Sequence, residues 1–145
     1  MSTWQKPMAT TNRDAIFVDT SGVFAVLDAG DRFHQPACAG WDEWIQQGEP
    51  LLTTNYVVVE ATTLIQRRLG MQAVSDLHGA MLPLIRVEWV TRVVHERSLN
   101  RFLSEDRRRL SLVDCTSFEV MRLLGLHRTF CCDQHFADRG FACVP

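Results

Sequence analysis

Lysine is almost missing from this chain: 14 of its 15 basic residues are arginine, and Lys6 is the exception. Arginine grips phosphate and carboxylate with a two-pronged guanidinium that lysine's point charge cannot copy. Codon usage alone would give the same imbalance, so the bias by itself assigns no partner. Long apolar runs are missing too. No stretch approaches the roughly 18–20 residues needed to span a bilayer. Met1 to Asp14 is polar and has no apolar centre of a secretory signal. It reads as a flexible leader to one domain over residues 15–145, and a cytoplasmic setting is expected. The five cysteines, Cys38, Cys115, Cys131, Cys132 and Cys143, are odd in number and form no C-x-x-C pair. That excludes the usual zinc and thioredoxin-like patterns and leaves reduced thiols in apolar segments. The histidines form no H-E-x-x-H pair, no phosphate-binding glycine pattern occurs, and no glycine elbow frames Ser21 as a nucleophile. A net charge of −2 argues against a generic polyanion binder.

What is present suits one domain. The chain has 145 residues, 46% of them hydrophobic, enough to bury a core without disulfides. Short apolar runs that predict strands lie at Ala15–Asp19, Pro50–Thr54, Ile85–Trp89, Thr129–Cys132 and Phe141–Val144, the last as an edge strand. Helical spacing predicts helices from Thr20 or Ser21 to Leu27, over His34–Gln47, from an Asn55 cap to Leu69, over Met71–Leu82, Thr91–Leu103, from a Ser111 cap to Leu124, and around His135–Arg139. Trp41, Trp44 and Trp89 fall on apolar faces and read as core or dimer residues. Strands of four or five residues alternating with helices predict an α/β three-layer sandwich with a mostly parallel, roughly five-stranded sheet. Ligands bind such sheets beyond the carboxyl ends of the strands, at the topological switch point.

Four of the 17 acidic residues stand where acids are costly. Asp19 ends the first apolar run, and Asp133 follows the fourth. Glu60 shares a helical stripe with Val57, Ala61 and Leu64, and Asp114 lies four residues before Phe118 and seven before Met121. Each has an ordinary explanation: Asp19 and Asp133 as helix caps, Glu60 paired with a buried arginine, Asp114 as a cap or first-turn acid. A parallel sheet would nevertheless bring all four to one edge. Several carboxylates in one pocket cannot all ionise without a cation. Oxygen ligands without histidine or cysteine suit Mg2+ or Mn2+, and the chemistry that follows is hydrolysis of a phosphodiester.

At these residues the sequence resembles the PIN-domain family, in particular the VapC-type toxins of bacterial toxin–antitoxin pairs. Val18-Asp19-Thr20-Ser21 resembles the opening strand-to-helix motif, with Ser21 as a polar residue of the metal shell. Thr53-Thr54 with Val59-Glu60 resembles the segment that supplies a catalytic glutamate. Ser111-Leu112-Val113-Asp114 resembles the motif with the third acid, and Cys132-Asp133-Gln134-His135-Phe136 with Gly140-Phe141 resembles the ending that carries the fourth. The likeness runs from about Ala15 to Val144. It departs at Cys131, where the family often has Thr or Ser.

The resemblance implies a Mg2+- or Mn2+-dependent endoribonuclease. Asp19, Glu60 and Asp114 would hold the ion, and Asp133 would complete the shell or orient water. It also implies a homodimer and a cognate antitoxin that occludes the acidic pocket. Ser21, Cys131 and Asp138 are supporting candidates, although Asp138 reads more readily as a solvated helix acid. Arg67, Arg68 and Arg107–Arg109 are candidates to track an RNA backbone, and His135 reads as structural. Two alternatives stay open: an RNA-processing nuclease outside a toxin–antitoxin pair, and a non-catalytic binding module on the same fold.

Overall fold

The computed structural model describes residues 13–145. The expected leader therefore lies outside the described residues except at Arg13 and Asp14. These two form a turn, and Arg128 donates a hydrogen bond to the Asp14 carbonyl.

Five short strands form one sheet: β1 (Ile16–Val18), β2 (Leu51–Thr54), β3 (Arg86–Glu88), β4 (Arg128–Phe130) and β5 (Ala142–Val144). Their order is β3-β2-β1-β4-β5, and every pairing is parallel. From β1 the chain crosses to β2 and β3 on one side, then returns to β4 on the other. The switch point therefore lies between β1 and β4, in register at Val18 and Phe130. The Asp19 N–H extends this pairing by donating to the Phe130 carbonyl at 3.1 Å.

Side chains alternate across the central strand, as a two-residue period demands. Ile16 and Val18 join one buried cluster, with Val23 and Ala25 of helix α1 (Thr20–Leu27), Trp41 and Trp44 of α2 (His34–Gln47), and Ile65 of α3 (Asn55–Leu69). Phe17 joins the other, with Phe118 and Met121 of α6 (Leu112–Leu124) and Phe136 of α7 (Gln134–Asp138). The sheet is thus covered on both faces, the arrangement its parallel strands require. α4 (Met71–Asp76) and α5 (Arg92–Glu105) complete the helices. Val57 near the start of α3 packs in the second cluster and Ala61 in the first, so α3 reaches both layers.

Most expected elements appear within one or two residues of their predicted bounds. Three differ for physical reasons. Thr54, not Asn55, caps α3, accepting from the Val57 N–H at 3.2 Å. The Asn55 side chain instead accepts from the Val90 N–H at 2.8 Å and ties α3 to the segment after β3. The expected helix over Met71–Leu82 is regular only to Asp76. It then loosens into a π-helical turn (Leu77–Met81) and tightens into a 3-10 turn (Leu82–Leu84) around Pro83, which has no N–H for the helical ladder. Trp41 and Trp44 are core residues, but Trp89 is 74% exposed.

Gly22 lets α1 sit directly on β4. A methyl group there would come within 2.6 Å of the Phe130 carbonyl oxygen and 2.7 Å of its ring. Phe130 is itself clamped edge-on by Trp44, with ring centroids 4.9 Å apart, so it has nowhere to retreat. Gly22→Ala is expected to destabilise the protein by about 1–3 kcal/mol, the cost of overpacking a filled core. Urea unfolding measures this, and an unchanged midpoint would show that the contact between α1 and β4 yields.

Candidate active site

Asp19 leaves β1 at its carboxyl end and caps α1. Its Oδ2 accepts from the Ser21 N–H at 3.2 Å and from the Ser21 hydroxyl at 2.7 Å. The Ser21 Oγ in turn accepts from the Cys132 N–H at 3.0 Å, so one serine fastens the first acid to the chain leaving β4. Asp133, three residues past β4, caps α7 by accepting from the His135 N–H at 2.7 Å. Asp114 belongs to a capping box: it accepts from the Ser111 N–H at 3.0 Å, and Ser111 Oγ accepts from the Asp114 N–H at 3.0 Å. Three of the four acids are therefore helix caps and members of one cluster at once. The bonds given to each cap engage one carboxylate oxygen, Oδ2 in Asp19 and Asp114 and Oδ1 in Asp133.

Asp19, Glu60, Asp114 and Asp133 all line one open cavity of about 470 Å3. Ser21, Thr20, Ser111, Cys132 and the loop residues Asp31, Arg32 and Phe33 line it too. Arg32 is the lone basic residue in that lining. Among the described residues no lysine or arginine forms an ion pair with any of the four acids, so the expectation of a buried arginine partner for Glu60 fails. Glu60 is also less embedded than its stripe suggests. Val57 and Ala61 are buried, whereas Glu60 and Leu64 are half-buried at the stripe's edge and face the cavity.

Burial and crowding act on these acids together. The Asp19 carboxyl is pushed up to about 7: burial raises it most, the Ser21 hydroxyl pulls it down, and Asp114 and Asp133 raise it again. Glu60 is raised by burial, lowered by the Thr20 hydroxyl, and raised again by Asp114 and Asp133. The Thr20 contact is loose, since its buried Oγ1 closes no hydrogen bond of good geometry. Asp114 is raised by burial, lowered by its bonds to Ser111, raised by Asp133 and slightly relieved by His135. Each of the three is short of positive charge.

Two supporting candidates lie elsewhere. Asp138 is exposed, bonded by the Gln134 side chain, and lines a separate surface recess with Glu105, Arg107 and Arg139. Five helical steps of about 100° carry it round α7 from Asp133. Cys131 is buried with the Phe118 layer and turns its sulfur to Cys143 of β5, not to the acids. Cys132 takes the cavity-facing place. In sequence, Asp28–Arg32, with Gly30 between charged residues, reads as a turn, yet this stretch and the next residue supply Asp31, Arg32 and Phe33 to the lining.

The donor set fits a hard divalent cation. It is all oxygen, lies in an open and solvated cavity, and carries raised pKa values that a cation would relieve. As they stand, no three metal-ligating side chains among the described residues close around one point. Mg2+ tolerates this better than Zn2+ or Ca2+, because it keeps several waters and takes only one or two carboxylates directly.

A wholly parallel sheet with a carboxylate-lined cavity at its switch point defines an α/β protein whose chemistry sits on the strand ends. No family model matches the chain. It is 36% identical over 127 residues to the 23S rRNA-specific endonuclease VapC20 of Mycobacterium tuberculosis, covering 87% of this chain and 95% of that protein. The crystal structure of VapC20, a sarcin–ricin loop cleaving toxin, superposes with a TM-score of 0.76. FitAcB from Neisseria gonorrhoeae shares the fold at a TM-score of 0.64 and 14% identity, with 90% of this chain and 96% of that one covered. The chain belongs to the PIN-domain family, among the VapC-type toxins. Among the described residues no helix is long and apolar enough to cross a membrane.

The raised Asp19 value has a testable sign. Unfolded, the carboxyl ionises near 3.8; folded, near 7. The folded state therefore holds this proton more tightly, and the contribution is complete below pH 3.8 and lost as pH rises through 7. Asp19→Asn keeps a good cap and removes the charge. In EDTA, the variant is expected to gain in Tm over the parent protein as pH rises from 5 to 8. A constant difference across that range would refute the raised carboxyl.

Proposed function

We propose that this protein is an endoribonuclease, the toxin of a toxin–antitoxin pair, hydrolysing RNA at the four-carboxylate cavity with Mg2+ or Mn2+. The observation that carries the reading is the meeting of Asp19, Glu60, Asp114 and Asp133 in one cavity without basic partners. It is supported by the 36% identity to a 23S rRNA endonuclease across nearly the whole chain. A structured RNA such as the sarcin–ricin loop, which that relative cleaves, is the first substrate to test. The reading extends to a cytoplasmic location, a homodimer, and an antitoxin that closes the cavity mouth.

Asp19, Glu60 and Asp114 would hold the cation, and Asp133 would complete its shell or orient the attacking water. When bound, a divalent ion supplies the positive charge that lets the acids ionise together and makes water acidic enough to attack phosphorus in line. Ser21 fixes the Asp19 carboxylate through its 2.7 Å hydrogen bond. Arg32, its guanidinium 4.6 Å from the centre of the Phe33 ring, stands at the rim with donors free for a phosphate oxygen. Water adds its oxygen to phosphorus, a ribose oxygen leaves, and a proton passes to the leaving group. Exposed Arg67, beside Glu60 in the neighbouring groove, extends the positive track for the RNA backbone.

Asp19→Asn is expected to lower cleavage on the order of 10²–10³-fold, the scale of losing one preorganised electrostatic group, with its fold intact by circular dichroism. At pH 8, Mg2+ is expected to raise the Tm of the parent protein more than that of the variant. Unchanged cleavage in the variant would end the mechanism. RNA binding without cleavage by the parent protein, with Mg2+ or Mn2+ present, would favour the binding-module alternative.

A further inference from the structure

Cys131 and Cys143 sit sulfur to sulfur at 2.8 Å. They come from neighbouring strands. Cys143 on β5 is in register with Thr129 of β4, and Cys131 lies two residues past Thr129, on the same side of the chain by strand alternation. Both sulfurs also lie against the main-chain carbonyl of Asp133, at 3.7 and 3.8 Å. Less than about 1 Å of further approach brings them to disulfide length, about 2.05 Å. Among the described residues the sulfur–sulfur hydrogen bond joins Cys131 to Cys143, not to Cys132, although Cys132 adjoins Cys131 in sequence.

The two thiols differ in access. Cys131 is buried, and Cys143 is exposed on the edge strand. Both line a cavity of about 410 Å3, distinct from the acid cavity but adjoining it at Cys132 and Asp133, with Pro36, Ala37 and Pro145 among its walls. That is room for a small peroxide and for its departing alcohol or water. Cys143, the exposed sulfur of the pair, meets a peroxide first, so the first oxidation falls on Cys143.

We propose that Cys131 and Cys143 form a redox modification site that closes into a reversible disulfide under a hydroperoxide. The Cys143 sulfur attacks the peroxide O–O bond, which breaks; the sulfur loses two electrons and becomes a sulfenic acid, and the alcohol or water leaves. The Cys131 sulfur then attacks the sulfenic sulfur, the S–S bond forms, and water leaves with the thiol proton. Contact between the sulfurs offsets the poor nucleophilicity of a buried thiol, because the second step is intramolecular. The product staples the last strand to the segment that carries Asp133, closing a loop between positions twelve apart. In a reducing compartment the bond is transient and marks oxidant load.

The full-length protein is treated with limited hydrogen peroxide, quenched with an alkylating agent and mapped by peptide mass spectrometry without reductant. The expected result is a cross-linked peptide pair joining Cys131 to Cys143. Tm should rise on the order of 5–10 °C, as for a short native loop closed by a disulfide, and dithiothreitol should reverse both changes. Cys143→Ser, a change on an exposed edge position, should abolish link and Tm rise together, while Cys132→Ser keeps them. Alkylation of both thiols in the oxidised folded protein, a disulfide between two molecules through Cys143, or a link that uses Cys132 would each overturn the assignment. None of these readouts depends on the nuclease reading.

Discussion

The fold is organised around an unfavourable term: carboxylates held close together, partly out of water, with no arginine or lysine among the described residues paired to them. Burial first, and the neighbouring Asp114 and Asp133 after it, carry Asp19 from an ordinary carboxylate to a group that titrates near neutrality. A protein does not keep such a group for stability, since an apolar residue would cost less. The strain is tolerable only if something positive enters the cavity. The rest of the architecture supplies the rigidity that keeps the acids from relaxing away from one another.

Helix capping provides that rigidity. Asp19, Asp114 and Asp133 each accept from main-chain N–H groups at the start of a helix. The partial positive charge of those helix ends offsets part of the repulsion. Capping and ligation are often treated as competing explanations for an acid at a helix start. Here they are the same fact, because a cap needs one carboxylate oxygen and leaves another for chemistry. Glu60 differs. It projects from α3 without capping a helix, and its aim is set mainly by packing, with Val57 and Ala61 buried on either side of it.

The sequence made the strand ends and caps legible because both are local. An apolar run that stops at a carboxylate announces the end of a buried strand, and Ser111 three residues before Asp114 announces a capping box. The parallel sheet then follows from alternation of short strands with helices, and the switch-point rule turns chain order into a shared edge. What failed was orientation beyond an element's end. Cys131 adjoins the strand that leads to Asp133, but only the pairing of β4 with β5 reveals that its sulfur meets Cys143 and that Cys132 faces the acids. Asp138 fails likewise, because a five-residue helix turns it out of the cavity. The Asp28–Phe33 loop was invisible as a site because nothing local tells a turn which cavity it will border.

Sequence distance also explains why the acids, among the described residues, do not close around one point. They come from the ends of β1 and β4, the body of α3 and the start of α6, and each is positioned by its own helix. Ser21 bridges the two ends of the switch point, donating to Asp19 with one bond and accepting from the Cys132 N–H with another. Independent anchoring fixes each carboxylate but leaves their mutual spacing to packing, and packing yields to repulsion before covalent geometry does. A shared cation would act on that one unspecified distance, drawing the groups together. Ion binding would then complete the shape of the site as well as its charge, with Ser21 transmitting the closure between β1 and β4.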